Sequence, residues 1–138
     1  MSNDIATRTP VPVSHEPAVS RALAKGQVID ITTTGRRSGE PRRIEIVFHN
    51  IDGRIFITGM PRRQERAWLH NLRADPRFTL HLKGEIRSDI RATAREVTDE
   101  TERRAVFEWI VAHAWRQQDV EAMTAYSPLI EVLIAPAA

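Results

Sequence analysis

QVIDITTTGRRSGEPRRIEIVFHNIDGRIFIT, Gln27–Thr58, decides the fold. Its three runs rich in β-branched residues, Gln27–Thr33, Arg43–Asn50 and Arg54–Thr58, read as strands joined by two short polar turns. In the middle run Ile44, Ile46 and Phe48 alternate with Glu45, Val47 and His49, the period-two pattern of a half-buried strand. Asn50-Ile51-Asp52-Gly53 is a hairpin turn, with Asp-Gly supplying the left-handed backbone that tight hairpins need. Two sequential hairpins imply an antiparallel sheet. The first turn is the unusual one, because Arg36, Arg37, Arg42 and Arg43 place four cations within eight residues. Glycines at 35 and 39 permit a tight reversal whose free N–H groups can form a concave anion nest. Arginine adds a flat fork that grips phosphate or carboxylate through two hydrogen bonds. The alternative is a solvated hairpin whose arginines only keep the surface soluble.

Outward from this stretch the pattern continues in short elements. Met1–Ser14 lacks apolar periodicity and reads as a flexible arm, 1–14, leaving 15–138 as one domain. His15–Lys25 has Ala18, Val19, Ala22 and Leu23 at helical spacing, with Gly26 just past the end. Gly59–Arg63 breaks the third strand, and Gln64–Ala74 reads as a helix with Trp68, Leu69 and Leu72 on one side. Phe78, Leu80 and Leu82 alternate in a fourth strand, and Ile86–Val97 forms a fifth. Asp99 caps a helix running to about Gln117, with Glu102 at capping-box spacing and Val106, Trp109, Ile110 and His113 on one stripe. Asp119–Tyr126 is a further helical segment and Leu129–Ile134 a final strand. Hairpin-linked strands with few crossovers predict an α+β chain: a single-domain antiparallel closed or split β-barrel of about six strands with short flanking helices.

Charge and composition restrict the function more than they reveal it. The formal charge is only +2, yet the sequence pI is about 9.6, because arginines dominate the 20 basic residues and there is one tyrosine to titrate. A high pI of that origin is no argument for nucleic acid. The absence of cysteine removes disulfides, thiolate nucleophiles and iron–sulfur or zinc–cysteine sites. No signal peptide or bilayer-length apolar run is legible, so a cytoplasmic protein without a transmembrane segment is expected.

The candidate chemistry is sparse in catalytic side chains and rich in anion binders. His15, His49, His70, His81 and His113 show no metal-ligand spacing, so no metal site is expected. His49 and His81, on polar strand faces, are expected in solvent, and His113 in the core or an interface. Ser38 is not in a nucleophile elbow, and Glu45 beside arginines reads as an ion-pair partner. Gly59-Met60-Pro61-Arg62-Arg63 is a second basic turn that leads into a helix, whose amino end attracts anions. The two arginine turns, each at a strand end, are expected to face one another across a groove.

TTxGRxSGxxR at Thr32–Arg42, W-x-x-N-L at Trp68–Leu72 and the following Asp75-Pro76, with RATAREVTDETERRAV farther on, together resemble the deazaflavin-dependent nitroreductase and quinone reductase family over about Val28–Val106. The resemblance implies a split β-barrel like that of pyridoxamine-phosphate oxidases, an oxidoreductase activity, and the coenzyme F420 with its anionic phosphate and oligoglutamate tail. It implies that Arg36, Arg37, Ser38, Arg42 and Arg43 take phosphate and tail, and that the ring lies along Ile44, Ile46 and Val47. Gly59, Met60, Pro61, Arg62 and Arg63, with Trp68 and Asn71, would close the other side.

A lipophilic acceptor, such as a quinone, nitro compound or enone, is then expected to stack over the ring in a pocket of Trp68, Met60 and Tyr126. The proton for the product would come from solvent, Tyr126 or His70. Two readings stay open: the same barrel holding FMN, and a non-enzymatic module for anionic ligands. Nucleic acid is not expected, since no aromatics interleave the arginine turns. A homodimer is implied by the family, with the final strand and the Trp109/Trp115 helix as contacts.

Overall fold

The computed structural model describes residues 17–136. The elements in chain order are α1 (Pro17–Leu23), β1 (Gln27–Thr34), β2 (Pro41–Ile51), β3 (Arg54–Thr58), α2 (Ala67–Ala74), β4 (Arg77–Lys83), β5 (Arg87–Glu96), α3 (Glu100–His113), α4 (Val120–Tyr126) and β6 (Leu129–Ile134). The expected arm 1–14 and the first two residues of the expected helix His15–Lys25 lie outside the described residues. All six strands pair antiparallel and close into a barrel in the order β1-β2-β3-β6-β5-β4, as an α+β split barrel requires. The β2–β3 turn forms as its Asp-Gly pair predicts, with Asp52 at φ 50° and Gly53 at φ 91°.

Alternation along the strands fills the barrel. Ile29 and Ile31 of β1, Phe48 of β2, Ile55 and Ile57 of β3, Leu80 and Leu82 of β4, Ile90 and Ala92 of β5 and Ile130 and Val132 of β6 share one apolar cluster. Val19 and Leu23 of α1 join it near the start of β1, where Gln27 and Asn50 donate to the Ala22 and Leu23 carbonyls. Trp68, Leu69 and Leu72 of α2 enter from the opposite end, where β1 finishes.

A second cluster lies outside the wall. Ile51, Phe56 and Leu129 point away from the barrel and are covered by Val106, Phe107 and Ile110 of α3 and Met123 of α4. All five residues of β3 are buried for this reason: both its faces are covered. Arg54 and Glu131 project into the same outer layer, where Arg54 Nε donates to Glu131 Oε2 at 2.7 Å and Nη2 to Oε1 at 2.8 Å. Arg95 and Glu102 complete the network. Burial alone would raise the Glu131 carboxyl, but its hydrogen bonds from Arg54 and Arg95 hold it below the usual range.

The structure corrects several local expectations. α2 begins at Ala67 rather than Gln64, because Arg66 folds back to donate to the Met60 carbonyl and keeps 59–66 as a loop. α3 ends at His113 rather than near Gln117: Ala114 and Trp115 both donate to the Ile110 carbonyl, and Trp115 turns onto His49. Asp99 accepts from the Glu102 N–H, but the Glu102 side chain turns to Arg54 and Arg95 and leaves the capping box half made. Glu45 pairs with Lys83 instead of an arginine.

Three histidines also depart from expectation. His113 is exposed, stacking on Trp109 and bonding its carbonyl, because it lies past the covered stretch of α3. His81 is buried, held between Thr32 Oγ1 and Asp89 Oδ1 at 2.7 Å each. His49 is buried beneath the α3 end, edge-on to the Trp115 ring, with no hydrogen-bond partner for Nε2. Burial pushes its imidazole down from 6.5 to about 4.

Two stability predictions follow from these buried groups. The neutral His49 must stay unprotonated in the fold while the unfolded chain takes up a proton below pH 6.5, so stability falls as pH drops from 6.5 toward 4. The displacement from 6.5 to about 4 corresponds to roughly 3 kcal/mol. Urea unfolding at several pH values should show this loss, and His49→Gln should flatten it. Glu131→Gln, which takes the two short bonds from the buried Arg54 guanidinium to a carboxylate and leaves it only Glu102 at 3.2 Å, should cost about 3 kcal/mol in the same assay at pH 7.

Candidate active site

β1 ends in the arginine turn, and the turn is tied down by its own backbone. Gly35 N–H donates to the Glu40 carbonyl at 2.8 Å and Gly39 N–H to the Gly35 carbonyl at 2.9 Å. Ser38 Oγ accepts from Glu40 N–H at 3.1 Å and from Arg42 Nη2 at 3.3 Å. Gly35 is enclosed by this network: a Cβ there would sit 2.7 Å from Ser38 Oγ and 3.1 Å from the Glu40 carbonyl oxygen. Gly39 takes φ 73°, which a side chain would strain.

α2 braces the turn from the other side. Asn71, 5% exposed, donates through Nδ2 to Thr33 Oγ1 at 3.1 Å and accepts the Arg36 N–H on Oδ1 at 3.0 Å. The helix has no side-chain cap at Arg66. Between turn and helix lies a cleft of about 350 Å³, lined by Thr33, Gly35, Arg36, Arg37, Ser38, Arg42, Arg43, Ile44, Ala67, Trp68 and Asn71.

The charges in this cleft are mostly uncommitted. Arg43 pairs with Asp30 at 2.9 Å, and Asp30, held below its usual range by Lys83 and then Arg43, is occupied by both. Arg36, Arg37 and Arg42 form no ion pair among the described residues, although Arg54, Arg73, Arg77, Arg95 and Arg104 all do. Three unneutralised guanidinium groups around one concavity favour a multiply charged anion.

The other expected residues distribute differently. Ile44 and Ile46 pack toward the barrel core, whereas Val47 lies on the outer face, paired in register with the exposed Val28. The second arginine turn does not share the first cleft. Arg62 and Arg66 line a separate cleft of about 240 Å³ with Arg73, Arg103, Tyr126 and Ser127. Arg66 lies across Gly59, where a Cβ would come within 2.7 Å of its Cζ, and so closes the turn upon itself. Arg63 stands over the Tyr126 ring at 5.8 Å. Trp68 and Tyr126, expected to wall one pocket, therefore line different clefts, while Met60 is exposed at the loop surface. His70 sits on α2 with Nε2 3.5 Å from Glu65.

Several residues of the site had no signal of their own. Thr33 and Ala67 enter the cleft only because α2 docks on the end of β1. The hydrogen bonds of Asn71 to the turn and to the end of β1 are equally invisible at a distance of 35 and 38 residues along the chain.

Comparison with known proteins identifies the setting. The sequence profile described as F420H(2)-dependent quinone reductase matches residues 7–135. Among solved structures, one titled F420 Reductase superposes with TM-score 0.63 at 16% identity, covering 84% of this chain and 92% of that one. A pyridoxamine 5'-phosphate oxidase-like protein from Listeria innocua gives TM-score 0.62 at 14% identity over 85% of this chain and 90% of its own. A conserved hypothetical protein from Mycobacterium tuberculosis gives TM-score 0.67 at 18% identity, covering 92% and 84%. At these identities the superpositions establish the fold, and the profile, spanning nearly the whole chain, establishes the kinship: the chain belongs to the F420H(2)-dependent quinone reductase family and is an oxidoreductase of coenzyme F420.

Proposed function

We propose that this enzyme passes a hydride from reduced F420 to a quinone-type acceptor, with the phosphate and tail of the coenzyme held in the arginine cleft. The observation that carries the proposal is the convergence of Arg36, Arg37 and Arg42, without carboxylate partners among the described residues, on the concavity beside Trp68. The donor set fits the coenzyme's anionic parts, because guanidinium forks suit phosphate and carboxylate oxygens alike. Hydride chemistry is the contribution of the bound coenzyme. The chain's own residues bind and orient. Arg37 and Arg42 grip anionic oxygens, Ser38 fixes the Arg42 fork, Arg43 adds charge at the rim, and the Trp68 side of the cleft excludes water. The quinone class is supported by the family's description.

Titration of the protein with F420 and with FMN tests the assignment. F420 should bind more tightly, and Arg37→Ala and Arg42→Ala should each weaken it about tenfold to a hundredfold, the range for losing a charged hydrogen bond. Affinity should also fall as salt rises. Preference for FMN, or full F420 affinity in both variants, would overturn the site. Anaerobic turnover with a short-chain quinone, a nitroarene and an enone tests the acceptor class, and the quinone should give the highest kcat/KM.

A further inference from the structure

Asn71 lines the cleft, yet both its amide nitrogen and its amide oxygen are already engaged inside the protein. Both halves of the group are committed inside the protein: Nδ2 to Thr33 Oγ1 at 3.1 Å, Oδ1 to the Arg36 N–H at 3.0 Å. Thr33 and Asn71 are 2% and 5% exposed, so water does not compete for these bonds. We infer that Asn71 is a positioning residue: it holds the first residue of the arginine run in the conformation that aims Arg36 and Arg37 into the cleft, and it acts on anion binding only through that turn. The inference deepens the proposed function and rests on it for the identity of the anion.

The geometry explains why the side chain must be asparagine. The turn needs an acceptor for a backbone N–H, and the end of β1 offers a hydroxyl oxygen, so one side chain must accept on one atom and donate from the other. Leucine, of similar volume, would supply neither. Aspartate could accept from Arg36 N–H but would place a negative charge at the wall of an anion cleft. The turn's internal bonds close its base, Gly35 to Glu40, and leave the Arg36 N–H to Asn71. That N–H points to α2, so the helix holds Arg36, while Ser38 within the hairpin holds Arg42.

Asn71→Ala and Asn50→Ala separate positioning from plain stability. Both remove a side-chain hydrogen bond that ties a helix to the barrel and should lower Tm, but only Asn71→Ala releases the Arg36 N–H. Amide exchange followed by NMR in the ligand-free protein should show Arg36 protected in the wild type and in Asn50→Ala, and exchanging at least tenfold faster in Asn71→Ala. F420 affinity, measured well below each Tm, should fall tenfold or more in Asn71→Ala and less than threefold in Asn50→Ala. Equal losses of affinity in the two variants, or an unchanged Arg36 exchange rate in Asn71→Ala, would overturn the inference. Failure of the wild-type protein to bind F420 would instead overturn the proposed function, while the exchange measurement would still decide whether Asn71 holds the turn.

Discussion

Closure of the sheet is the constraint on which the rest depends. β1 is hydrogen-bonded to β2 on one edge and β4 on the other, and the circle continues through β5, β6 and β3. A one-residue slip anywhere would turn an apolar row outward, so the filled interior locks every register at once. The end of β1 is thereby fixed in space, and with it the point where the arginine turn leaves the wall. α2 plugs that end of the barrel with Trp68, Leu69 and Leu72, which brings Asn71 within reach of the turn. The arginine cleft is thus a by-product of how the barrel is stoppered.

Electrostatics divides the molecule into a settled part and an open one. Arg54, Arg73, Arg77, Arg95 and Arg104 are matched by carboxylates, several of them bidentate. Arg103 spends its guanidinium on the carbonyls of Val97, Met123, Thr124 and Ser127, pinning the end of α4 to the start of α3. Against this background the unmatched arginines of the first turn gather around one concavity. A formal charge of +2 conceals this concentration, because it is a sum over the whole chain and says nothing of where the charges cluster.

Much of this was legible in the sequence. Strand alternation gave the elements, the Asp52-Gly53 pair gave a hairpin, and the quoted motifs pointed to the family the profile match supports. The histidines were misjudged because alternation distinguishes two faces of a strand but not whether the outer face is covered. α3 lies over His49, and Thr32 and Asp89 bracket His81. The separation of the two arginine turns was hidden for a similar reason. Spacing along the chain could not show that Arg66 folds over Gly59 and turns its own loop inward.

The position of β6 bears on how the chain is assembled during synthesis. Leu129–Ile134 lies between β3 and β5, pairing with Ile55–Thr58 on one side and Ala92–Glu96 on the other. On the ribosome, the β2–β3 and β4–β5 hairpins can form as they emerge, but the gap between them stays open until the last strand leaves the exit tunnel. At roughly 5–20 residues per second, the nascent barrel spends several seconds with two unpaired strand edges exposed. Truncation just before β6 would make that transient state permanent, converting a closed wall into a sheet with two adhesive margins.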